Sequence, residues 1–148
     1  MICLSYEKQT KSFSFNAFLV RGPIKFLNDM LKEDTLNSII LGVIISASYL
    51  EAYGKDKLKE YFTGKTIPIK PFNFDNPRSP SLSKIIEWIW GFEIVDNKKA
   101  HIKGYMDDVR DERNNVIHHL RYPDAIDKNK ARETIKKAIE CLTALEAS

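Results

Sequence analysis

Cysteine is nearly missing from this chain: Cys3 and Cys141 are the only two, one near each end. Thiols so far apart, in a chain without the basic-then-apolar order of a secretory leader, exclude a disulfide framework and a cysteine metal centre as expectations. Glycine is scarce as well, with 6 residues. Gly64-Lys65-Thr66 has the look of the end of a phosphate-binding loop, but Lys59 stands where that motif needs its first glycine, which removes the reading. Histidine occurs 3 times and never in a metal-ligand grouping, so no metal and no cofactor is expected. Long apolar runs are absent too. The most apolar stretch, Ile39 to Leu50, is about half of what a bilayer span requires, so the expectation is a soluble, cytoplasmic protein with no membrane partner. Neither charge dominates: 23 basic against 20 acidic residues leave a formal +3, which permits a polyanionic partner without demanding one.

What is present is enough apolar residue, 43% of 148, for one domain over 1–148 with one core. Residues 1–20 read as an irregular or extended arm, because Ser12-Phe13-Ser14-Phe15-Asn16 alternates and the following apolar run does not. Pro23 fits the first turn of a short helix to about Lys32. Asp34 or Thr35 caps the next, whose Leu36, Ile39, Ile40, Val43, Ile44, Ala47, Leu50 and Tyr53 recur at helical spacing. Gly54 is a place for it to bend or end, and Leu58, Tyr61 and Phe62 are placed to continue the pattern. Pro68, Pro71, Pro77 and Pro80 make 63–80 a loop. Ser79-Pro80 then reads as cap and first helical residue before Leu82, Ile85, Ile86 and Ile89. Asp96 caps a helix over about 97–121. A last helix from near Asp127 carries Ala131, Ile135, Ala138, Leu142 and Leu145 as a packing seam. The sum is an all-α helical bundle of four to five helices.

The helix over 97–121 is the unusual one. At about 100° per residue, Ile102, Tyr105, Met106, Val109, Val116, Ile117 and Leu120 gather on one arc, and Arg113 falls in its middle. A guanidinium cannot discard its charge, so on a packed stripe it must find an acid, a phosphate or a wet cleft. Asn114 and His118 lie one turn apart on a more polar face. Glu51, on the flank of the central helix's stripe, is the acid offered as partner for Arg113; the plainer role for it is a side chain that reaches water. An arginine so placed also serves often as a plain structural ion-pair partner.

Together these residue types suit phosphoryl transfer in RNA. The 2′-hydroxyl is a built-in nucleophile, so the protein need only move protons and stabilise negative charge. Imidazole can do the first near neutral pH. A guanidinium does the second with a fork of donors. Asn114 can bond phosphate or position His118. The products would be a 2′,3′-cyclic phosphate and a 5′-hydroxyl. Trp88, Trp90, Phe72 and Phe74 could stack on bases, although helix-spaced aromatics more often belong to a core.

The stretch Arg113-Asn114-Asn115-Val116-Ile117-His118 resembles the signature of HEPN domains, R-N-x-ψ-x-H with ψ apolar, set in a helix toward the C-terminal end of a small helical domain. The resemblance implies a HEPN-like fold and a homodimer whose two motif helices line one cleft. It further implies a metal-independent endoribonuclease, acting on RNA as a toxin or antiphage effector with a cognate antitoxin protein as partner. Arg113, His118 and Asn114 would be its catalytic residues. Glu51 joins them because some related toxins add an upstream glutamate. His119 is the alternative imidazole, since the longer arginine-to-histidine spacing also occurs in the family. Other members do not cut, which gives the alternative expectation of a nucleotide- or RNA-binding or scaffolding domain. One subclass carries a tyrosine two residues after the histidine, where this chain has Leu120.

Overall fold

The computed structural model describes residues 22–63 and 80–148. Within them five α-helices form one bundle around one core: α1 (Pro23–Glu33), α2 (Leu36–Phe62), α3 (Leu82–Gly91), α4 (Ala100–His118) and α5 (Lys128–Glu146). No strand occurs among the described residues, and the all-α expectation holds. The arm expected over 1–20 and the Gly64-Lys65-Thr66 stretch lie outside the described residues, as do Phe72 and Phe74.

Local chemistry sets the helix ends. Gly22 takes a positive φ of 88°, and Pro23 follows as the first residue of α1. Asp34 ends α1 in a left-handed turn at φ 58°, its N–H donating to the Met30 carbonyl at 3.1 Å. Thr35 then opens α2 through a reciprocal cap with Ser38, each backbone N–H donating to the other's hydroxyl at 3.0 Å. The Ser38 hydroxyl also donates to the Met30 carbonyl, so the two-residue joint between α1 and α2 is tied on both sides.

Helix α2 does not end at Gly54: it runs to Phe62, and Leu58 and Phe62 continue its buried side. By length and composition it could cross a membrane, with a mean hydropathy of 1.4 over its best window. One side of it is packed in the bundle: Ile39, Val43, Ala47, Leu50 and Leu58 are buried, Leu41 stays exposed, and α2 packs on all four other helices. Two glycines allow that close approach. A Cβ at Gly42 would collide with Ile135 of α5, and one at Gly54 with Ile85 of α3.

The start of α3 differs from the sequence expectation. Ser81, not Ser79, is its cap, accepting from the Lys84 N–H, and Pro80 precedes the helix instead of opening it. Helix α4 is also shorter than 97–121. Asp96 caps a turn of 3₁₀ helix at Asn97–Lys99, α4 begins at Ala100, and the chain leaves the helix after His118.

Helices α4 and α5 run antiparallel in a fixed register. Cys141 Sγ lies 3.8 Å from the Ile102 carbonyl oxygen. Lys137 donates to Asp108 at 2.8 Å and sits 5.4 Å from the centre of the Tyr105 ring. Lys130 Nζ is 3.6 Å from Glu112. Helix α5 runs parallel to α2, with Ile135 against Gly42 and the Ser148 main-chain oxygen accepting from Lys57 at 2.9 Å. Burial pushes the Cys141 thiol up to about 12, so it stays a protonated, inert packing group.

Candidate functional site

The buried residues of α4 are Ile102, Met106, Val109, Glu112 and Val116. They step by four, three, three and four, one continuous helical stripe. The centre of the stripe falls near Val109, Glu112 extends it at the edge facing α5, and Arg113, within the arc but off its centre, is only half-buried. Ile117 and Leu120, counted on the packed arc from the sequence, are 47% and 46% exposed. The correction has a plain cause. The helix stops at His118, so Leu120 no longer obeys the wheel, and without Ile117 and Leu120 the stripe's centre moves toward α5.

That shift changes what holds Arg113. Its Nε–H donates to the Asn114 side-chain oxygen at 3.0 Å, which draws the guanidinium round toward the outer face of α4. Among the described residues it forms no ion pair. The contrast with Arg110, nearly one turn earlier, is sharp. Arg110 donates to Asp107 at 3.1 Å and to Asp111 at 3.1 and 3.0 Å, so its fork is filled. Arg113 keeps its two Nη groups for something else.

Asn114 and His118 are both exposed and one turn apart, with His118 the last residue of α4. Arg113, leaning on Asn114, joins them on that outer ridge. The ideal wheel set Arg113 and His118 about 140° apart; the Arg113–Asn114 hydrogen bond narrows this, because the arginine's reach follows its head group and not its Cβ.

The two neighbouring histidines are held differently. His119 is half-buried, and its Nδ1 lies 2.8 Å from the Asn115 carbonyl oxygen. A carbonyl only accepts, so Nδ1 is the donor in this contact. Among the described residues His118 carries no such tether. His119 is the better-oriented imidazole, whereas His118 shares the ridge with Asn114.

Glu51 is not brought to this place. Where α2 and α5 run side by side, Glu51 stands level with the C-terminal half of α5, and Arg113 stands level with Lys130 at its start. The offset is about 13 residues of helix, roughly 20 Å. The sequence pattern erred because a wheel reports the angle around a helix and not the level along it.

Glu112 was missed. It is 2% exposed, and among the described residues neither carboxylate oxygen has a hydrogen-bond partner and Lys130, itself exposed, is the one cation within ion-pair distance of it. A glutamate adjacent to an arginine is poorly separated from it by periodicity alone; only the three-three step from Met106 through Val109 to Glu112 marks it. No histidine, cysteine and carboxylate grouping suited to a metal ion occurs among the described residues. No protein family's sequence profile matches the chain, and no curated protein or solved structure is significantly similar to it.

Proposed function

We propose that this chain is a HEPN-type, metal-independent endoribonuclease whose catalytic ridge is Arg113, Asn114 and His118. The observation that carries the reading is the state of Arg113: a guanidinium braced by an amide oxygen, with no acid on it among the described residues, beside an arginine whose fork is full. A structural arginine on this helix has the Arg110 arrangement. A phosphate-binding one needs orientation without neutralisation, and Asn114 gives that.

In the proposed reaction Arg113 Nη groups face a non-bridging oxygen of the scissile phosphate and stabilise its charge as the phosphorane forms. His118 exchanges the proton of the attacking 2′-hydroxyl or of the leaving 5′-oxygen. The Asn114 amide N–H group, not used by Arg113, is available to the phosphate or to the His118 ring. Glu51 is no part of this ridge.

A second copy of the chain supplies the other half of a two-fold cleft in this reading. Ile117, one turn past Arg113 on the same flank, and Leu120 expose apolar surface there, and Tyr122 is 68% exposed beyond them. The same exposed end also favours a second reading, a HEPN-like binding or scaffolding domain that recognises RNA or a partner protein, such as an antitoxin, without cutting.

The test is cleavage of RNA by the purified protein in excess chelator, with the ends analysed for 2′,3′-cyclic phosphate. Loss of product in Arg113→Ala and in His118→Ala, with thermal unfolding unchanged, supports the ridge. Cleavage that survives both substitutions overturns it. RNA binding without product favours the scaffolding reading.

A further inference from the structure

Upstream on the ridge of Asn114 and His118, α3 and α4 enclose a groove of ≈ 460 Å³. That volume falls in the range of small-molecule sites, about 300–1,000 Å³. Its α4 wall is Lys103, Asp107 and Arg110, and Asn114 follows these at the next helical step, so the groove and the ridge are one surface. Arg110 to Asn114 is one turn, about 6 Å of rise, on the scale of the step from one nucleotide to the next in an extended strand. The α3 wall is Ser83, Ile86, Glu87, Trp90 and Gly91; Ile86 is buried, so Trp90 supplies most of its apolar surface. Trp90 packs on the core and is half-buried, and its indole N–H is buried with no acceptor among the described residues.

The charges choose the occupant. Lys103 and Arg110 are matched by Glu87 and Asp107 around the groove, and Arg110 already spends its donors on Asp107 and Asp111. A phosphate would meet no net positive field there. A flat, neutral ring with hydrogen-bonding edges fits better: apolar wall on one side, acceptors and donors on the other.

We propose that this groove is the base-binding subsite for an RNA strand whose scissile phosphate lies at Arg113. The inference rests on the ribonuclease reading and assigns it a specificity pocket. A nucleobase lies against Ile86 and Trp90, and Asp107, an acceptor, favours bases that carry an amino group. The neighbouring phosphate then falls on the Asn114 ridge.

The probe is a short oligoadenylate with 2′-O-methyl groups, which cannot supply the nucleophile, alongside an abasic oligomer with the same number of phosphates. Binding of each is measured by fluorescence in a Trp88→Phe background, where Trp90 is the one remaining tryptophan. The oligoadenylate should quench Trp90 and bind about tenfold tighter than the abasic strand, the worth of one stacked base at about 1–3 kcal/mol. Trp90→Ala should remove that preference and leave abasic binding as it was. Because Trp90→Ala could unsettle the fold, Gly91→Leu is the companion: a Cβ at Gly91 meets nothing within 4 Å, so its side chain crowds the groove without touching the core. It should remove the same preference. Equal affinity for the two strands, or a preference that survives both substitutions, overturns the subsite while Arg113-dependent binding keeps the ribonuclease reading intact. Failure of both strands to bind overturns the two together.

Discussion

The two flanks of α4 are built on opposite terms. Toward α5 the charged groups are closed on one another: Lys137 on Asp108, Lys130 on Glu112, with the Cys141 thiol buried between layers. Toward solvent, Arg113 leans on an amide and His118 stands untethered at the helix end. The same nineteen-residue helix thus fastens the bundle with one side, while on the other Arg110 is closed on Asp107 and Asp111 and only the Arg113 end keeps donors unspent among the described residues. Unspent donors contribute little to stability, so their arrangement points toward a ligand.

The comparison breaks most decisively at Arg113. Arg113→Lys keeps the charge and loses the fork, so RNA cleavage should fall about 100-fold while stability hardly moves; a rate within a few-fold of the parent would return Arg113 to the structural side. On the fastening flank the effects should reverse. Lys130→Ala leaves the Glu112 carboxylate buried without its cation and should cost about 1–2 kcal/mol in urea unfolding, discounted because Lys130 itself is exposed. Glu112→Leu should recover that loss or exceed it, with cleavage unchanged; a destabilised Glu112→Leu protein would mean that the carboxylate has a partner the described contacts do not account for. Glu51→Gln should change the cleavage rate by less than about twofold, because a group some 20 Å away exchanges no proton with the substrate.

The smallest effect belongs to the α1–α2 joint. Partial desolvation works to raise the Asp34 carboxyl, but its hydrogen bonds to Arg132 and Lys128 outweigh that and hold it below the usual aspartate value. A depressed folded-state value means the contribution is complete above the unfolded pKa of about 3.9 and is lost as pH falls through the folded one. Asp34→Asn should therefore lower the melting temperature slightly at neutral pH and flatten its decline in strong acid. Thermal melts between pH 2 and pH 6 read this directly, and parallel curves for the two proteins would remove Asp34 from the account.

Periodicity and capping chemistry made much of the fold legible. Pro23, Thr35, Asp127 and the seam from Ala131 to Leu145 are where the pattern placed them. The losses came where side-chain identity and chain level decide. Pro80 looked like a first helical residue, but Ser81 offers a hydroxyl one residue later and wins the cap. Leu120 looked like core, but the helix ends before it. Around the candidate site, Arg113, Asn114 and His118 were legible as types at a spacing. The buried Glu112 and the displacement of Glu51 were not, since one requires knowing which of two adjacent positions faces inward and the other the register of three helices.

The antiparallel pairing of α4 with α5 carries a consequence for how the protein assembles. Only residues 119–127 separate the two helices, so closing this hairpin costs little chain entropy. Helix α2 is different: its partners lie before it, just after it and at the far end of the sequence. The α1–α2 pair, across its two-residue joint, is just as local, so these two hairpins are the units whose closure costs least, and the contacts of α2 with α5 are the ones whose closure costs most.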